Sequence, residues 1–143
     1  MTNPDRAVGY LAQGYNCAQA VLAAFAPGLG LAEEAALRLA APLGAGIGRS
    51  GETCGALLGA LLALGLRHGV ASPDRESKER IYVLARDLMG RFADRFGSTT
   101  CKLLLDCDLS TPEGQAIARE KQFHSTVCPR FARGAAELLD ERL

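Results

Sequence analysis

The stretch Cys54-Gly55-Ala56-Leu57-Leu58-Gly59-Ala60-Leu61-Leu62-Ala63-Leu64-Gly65-Leu66 is the most apolar run of the chain. It contains no charge and no β-branched residue, so it does not favour a strand. At 13 residues it falls short of the roughly 20 needed to cross a hydrocarbon core. It therefore reads as the buried central helix of a water-facing fold. Gly51, Gly55, Gly59 and Ala63 recur every fourth residue, a spacing that leaves one helix face bare enough for close approach of another backbone.

Outward from this helix, no segment alternates apolar and polar residues with period two, and the expected fold is all-α. Just upstream, Pro42 to Gly51 holds Gly44, Gly46, Gly48 and Gly51, a density that points to a turn-rich loop with positive φ angles. Asn3-Pro4 and Asn16 read as helix starts. Val21, Leu22 and Phe25 repeat at helical spacing until Pro27-Gly28, and a third helix is expected over 32–41. Downstream, Gly69 and Ser72-Pro73 separate the central helix from a long amphipathic one marked by Ile81, Leu84, Ala85, Leu88, Phe92 and Phe96. Gly97 stops it. Ser98 or Thr99 then caps a short helix carrying Cys101, Thr111-Pro112-Glu113 opens another, and Pro129 opens the last. No linker or repeat is visible, so the expectation is one helical domain over 1–143, a compact bundle with a Gly-rich loop before its central helix.

The chain has 143 residues, with 16 Lys and Arg balanced by 16 Asp and Glu. A chain of this length buries about two-thirds of its unfolded surface, so neither disulfides nor metal are needed merely to fold. Zero net charge removes the electrostatic footprint of a nucleic-acid binder, and three Tyr, five Phe and no Trp offer few stacking platforms. Membrane insertion is not expected either. The opening residues show no basic segment leading into an apolar one, and a cytoplasmic protein is expected. Five cysteines are too few for a secreted disulfide scaffold, and an odd number points to reduced thiols, a metal site or redox chemistry.

Cys17, Cys54, Cys101 and Cys128 each fall at or within the first turn of an expected helix; Cys107 does not. Helix N-termini stabilise a thiolate over a thiol. A buried, chemically silent cysteine is the ordinary alternative for any one of them, and four at helix starts shift the balance. Gly46-Ile47-Gly48-Arg49-Ser50-Gly51 matches G-x-G-x-x-G, and Gly46 to Thr53 nearly matches a phosphate loop. The first lacks a preceding strand and the second has Glu52 where Lys is needed, so no nucleotide site is inferred. An anion resting near Arg49 stays open. His124 precedes Cys128 by four residues, but Pro129 opposes one continuous helix, and both His68 and His124 read as structural. The charged run 74–80 reads as a solvated face.

Gly14-Tyr15-Asn16-Cys17-Ala18-Gln19-Ala20, the glycine loop ending in Gly51-Glu52-Thr53-Cys54-Gly55-Ala56-Leu57-Leu58-Gly59, Cys101, 108–114 and Cys128-Pro129-Arg130-Phe131 together resemble the C_GCAxxG_C_C proteins, a family described as redox-active from its cysteines, without an agreed substrate. The resemblance spans nearly the whole chain. It implies a site of Cys17, Cys54, Cys101 and Cys128, with Gly46, Gly48, Gly51, Gly55 and Gly59 as loop and packing residues; Cys107 lies outside the pattern.

Three readings follow. In the first, the four cysteines carry thiol–disulfide exchange or electron transfer with a redox partner protein, Cys54 attacking and Cys17, Cys101 or Cys128 resolving. In the second, the same four ligate zinc or an iron–sulfur cluster. In the third, the chain is a non-catalytic helical interaction module. The Gly/Ala face would serve a homodimer as readily as the core.

Overall fold

A computed structural model describes all residues 1–143. Side-chain caps set several of the helix starts. Thr2 caps α1 (Asn3–Ala12) in a reciprocal box with Asp5, one residue ahead of the cap expected at Asn3. Asn16 caps α2 (Cys17–Phe25) in a second box with Gln19, and each box satisfies two otherwise orphaned N–H groups. α3 (Glu33–Ala40) and α4 (Gly55–His68) follow, with 3₁₀ turns at Pro27–Leu29 and Ala41–Leu43. α5 (Arg75–Phe96) starts at Asp74, whose side chain accepts from Ser77 N, not at Ser72. It ends at Gly97, φ +91°. α6 (Cys101–Leu105) starts after Thr100, whose side chain makes no capping bond, not after the expected Ser98 or Thr99; α7 (Pro112–Glu120) is capped by Thr111, and α8 (Phe123–Thr126) and α9 (Cys128–Asp140) complete the chain. There is no strand; one antiparallel bridge joins Thr53 to Thr100. The protein is all-α.

The helix at the centre is α2, not α4. Ala18, Ala20 and 21–25 are all buried, and α2 packs against α1, α3, α4 and α9. Its small side chains make that possible, because neighbours approach it on several sides at once. α4 keeps an outer apolar edge in solvent, with Leu62 40% and Leu66 39% exposed, which is why its uniformly apolar sequence overstated its depth. The expected bare face is real over part of its length: a Cβ on Gly59 would stand 2.6 Å from Ala18 O, and one on Gly55 3.0 Å from Leu43 O. Gly51 is not on that face. It precedes α4 at φ +72° and packs against Lys102 Cβ. At the far end, Phe92, Phe96 and Phe131 form an aromatic cluster with neighbouring ring centroids 4.8 and 5.1 Å apart, a favourable tilted and edge-on spacing. Phe92 is fully buried. Along α5, only Leu88 and Phe92 of the expected apolar stripe are fully buried.

Candidate cysteine cavity

The glycine loop is stranger than glycine density alone suggests. Ala45, Gly46, Ile47, Gly48 and Arg49 all have positive φ, from +53° to +71°, forming a left-handed turn closed by Gly48 N donating to Gly44 O at 2.7 Å. Each non-glycine residue there costs about 1–2 kcal/mol relative to a right-handed conformation, and a β-branched residue such as Ile47 is a genuine outlier. Close neighbours enforce the path. A Cβ on Gly44 would meet the Asn16 side chain at 2.5 Å, and one on Gly46 would meet Glu52 N at 2.7 Å and Cys101 Cβ at 2.8 Å. Glu52 N donates to Gly46 O, Cys101 N to Glu52 O at 2.6 Å, Lys102 N to Gly51 O and Cys54 N to Thr99 O at 2.8 Å. The loop is thereby laced to the start of α6, with Cys54 and Cys101 at diagonal positions across the Thr53–Thr100 bridge.

All four cysteines sit at helix starts. Cys17 begins α2, Cys54 is the N-cap residue of α4, Cys101 begins α6 and Cys128 begins α9. All four line one cavity of about 480 Å³. The left-handed turn forms one wall, through Ala45, Gly46 and Arg49, and one face of α7 forms another, through Gln115, Ala118 and Arg119. The residues that sequence reasoning missed are these on α7. Their three-and-four spacing was legible, but nothing in the sequence placed that helix at the same cavity as the cysteines.

Burial reverses the expected effect of the helix termini on most of the thiols. Cys54 is 5% exposed and Cys101 7%. Burial pushes Cys54 up to about 11, although backbone N–H groups of Leu57 and Ala56 oppose the shift. It pushes Cys101 up to about 12, with further contributions from Cys54, Cys128 and Cys107. Removing a thiolate from water costs more than the start of a helix returns. Cys17 and Cys128 act on each other. The hydrogen bond between them lowers Cys128 from its ordinary value and, together with burial, holds Cys17 well above its own. The pair thus favours the charged form on Cys128 over Cys17. Burial works against the thiolate form that an attacking Cys54 would need.

Every cysteine is a free thiol. No group of three or more His, Cys, Asp or Glu side chains is arranged to hold a metal ion. Cys107 is buried in the turn after α6, outside the cavity, and its Sγ donates to Gly114 O at 3.2 Å. His124 reaches the cavity rim while its Nε2 bonds Leu11 O at 2.8 Å; His68 Nε2 bonds Arg142 O. Both histidines hold backbone carbonyls. No helix is long and apolar enough to cross a membrane.

A family model described as "Putative redox-active protein (C_GCAxxG_C_C)" matches residues 15–142. No curated protein and no solved structure matches the chain.

Proposed function

The chain belongs to the C_GCAxxG_C_C family of redox-active proteins, and from that premise we propose that it carries out thiol–disulfide exchange, with Cys128 attacking and Cys17 resolving. The observation that carries this reading is that Cys17 and Cys128, each the first residue of a helix, line one cavity together with Cys54 and Cys101, where the influence of Cys17 lowers Cys128 from its ordinary value. The attacking group in exchange is a thiolate, and a thiol whose charged form is hydrogen-bonded by its neighbour is the better nucleophile at neutral pH. The neighbour that donates that bond is also positioned to attack the mixed disulfide.

The step balances without a cofactor. The Cys128 thiolate attacks a disulfide R–S–S–R′, forms a Cys128–S–S–R bond and expels R′S⁻. Cys17 transfers its proton to that leaving thiolate and attacks the Cys128 sulfur. A Cys17–Cys128 disulfide forms and RS⁻ departs. Two electrons pass from the protein thiols to the substrate sulfurs. Cys54 and Cys101, held protonated by burial, are a reserve dithiol beside the first pair, fixed in place by the laced loop.

Alkylation of the reduced protein as a function of pH tests the assignment. Cys128 is expected to react first and at the lowest pH, and Cys17→Ala is expected to move its midpoint upward by removing the hydrogen bond. In single-turnover exchange, Cys17→Ala should trap the mixed disulfide on Cys128, and Cys128→Ala should remove the fast phase. An undiminished exchange rate in Cys128→Ala would overturn the reading.

A further inference from the structure

The charge lining the cysteine cavity is one-sided. The chain as a whole is neutral, yet the cavity is lined by two arginines, Arg49 and Arg119, and by no Asp or Glu. Neither arginine takes part in any of the protein's ion pairs, and neither side chain donates to another protein group. The two come from separate elements of the lining. Arg49 comes from the left-handed turn at φ +71° and Arg119 from the last turn of α7. A non-glycine residue held in that conformation is the kind of backbone strain that persists where position matters. The same cavity has an apolar lining, with Leu104, Leu105, Phe123 and Phe131. A volume of about 480 Å³ lies within the range of roughly 300–1,000 Å³ usual for small-molecule sites.

We propose that the substrate is a low-molecular-weight disulfide bearing anionic groups on short apolar arms, its charges held by Arg49 and Arg119 and its sulfurs presented to Cys128. This rests on the exchange reading above and adds the identity of the other reactant. Unpaired guanidinium groups at a cavity rim attract carboxylate or other oxyanion groups and repel cations. The apolar wall accepts the methylene arms, and the recess admits a small molecule more readily than a folded surface. The electron balance is that of the exchange already written: the disulfide leaves as two thiols and the protein retains a Cys17–Cys128 bond.

Three symmetrical disulfides of similar size and different charge serve as probes: dithiodipropionate, a dianion; bis(2-hydroxyethyl) disulfide, neutral; and cystamine, a dication. With the reduced protein in low salt, the expected order of single-turnover rates is dianion, then neutral, then dication. Arg49→Gln and Arg119→Gln should each narrow the ratio of dianion to dication rates by about threefold, the scale of an exposed ion pair, and added salt should narrow it too. Arg86→Gln, on the exposed side of α5, should leave the ratio unchanged. Equal rates for the three probes, or a ratio that survives both arginine changes, would overturn the inference and leave the exchange reading standing. Failure of all three to oxidise the thiols would overturn the exchange reading. Adipate, a dianion with no disulfide, then decides the anion site by calorimetry: binding lost in the double arginine variant supports it, and no binding overturns it.

Discussion

Gly46 and Gly48 share a backbone conformation and differ in surroundings, so a matched pair of substitutions separates strain from collision. Both are left-handed, at φ +66° and φ +58°. Alanine at either costs about 1–2 kcal/mol for the conformation alone. At Gly48 the added Cβ meets only Pro42 O at 3.8 Å, an ordinary contact. At Gly46 it meets Glu52 N at 2.7 Å and Cys101 Cβ at 2.8 Å, and overpacking of this kind adds about 1–3 kcal/mol. Gly46→Ala should therefore lose about 2–5 kcal/mol where Gly48→Ala loses about 1–2. For a chain of this size about 3 °C of Tm accompanies each kcal/mol, giving a fall of roughly 6–15 °C against roughly 3–6 °C. Thermal unfolding of the reduced proteins measures both. The collision also pushes on the strand-like segment that fixes Cys101, so alkylation of Cys101 in native buffer should quicken in Gly46→Ala and not in Gly48→Ala. Equal Tm losses and equal Cys101 reactivity would refute the close approach of loop and α6 on which the cavity geometry depends.

Alkali should destabilise the fold through its buried thiols. The folded values of Cys54 and Cys101 lie near 11 and 12, above the ordinary 9.0, so the native state holds these protons more tightly than the unfolded chain. Their contribution is complete below pH 9 and is lost as pH rises through 11 to 12, at up to about 1.4 kcal/mol per pH unit for each group. Urea titrations of wild type, Cys54→Ala and Cys101→Ala over that window should show a shallower fall in each variant; identical slopes would contradict the burial argument. Cys107→Ala removes a thiol that bonds Gly114 O outside the cavity, and it should cost about 1 kcal/mol of stability while single-turnover exchange proceeds at the wild-type rate. A slowed first step would place Cys107 in the chemistry.

Several features of the fold follow from local sequence. Caps at Asn16 and Thr111, prolines at helix starts and the stop at Gly97 each act through neighbouring backbone, so residue type and spacing suffice to place them. The four cysteines at helix starts were legible for the same reason. Depth was less so, because an apolar helix looks the same whether it lies at the centre or at the margin. Thus α2, rich in alanine, proved deeper than the leucine-rich α4.

The sequence by itself determined an all-α chain with four thiols at helix N-termini and a glycine loop beside one of them. The tertiary structure decided that these helix starts line a common cavity and that Arg49 and Arg119 line it with them. Those outcomes depend on contacts between residues far apart in the chain, such as Cys17 with Cys128 and Glu52 with Cys101. A thiol's ionisation is set by the water and partners around it, and both are supplied by packing, not by position along a helix.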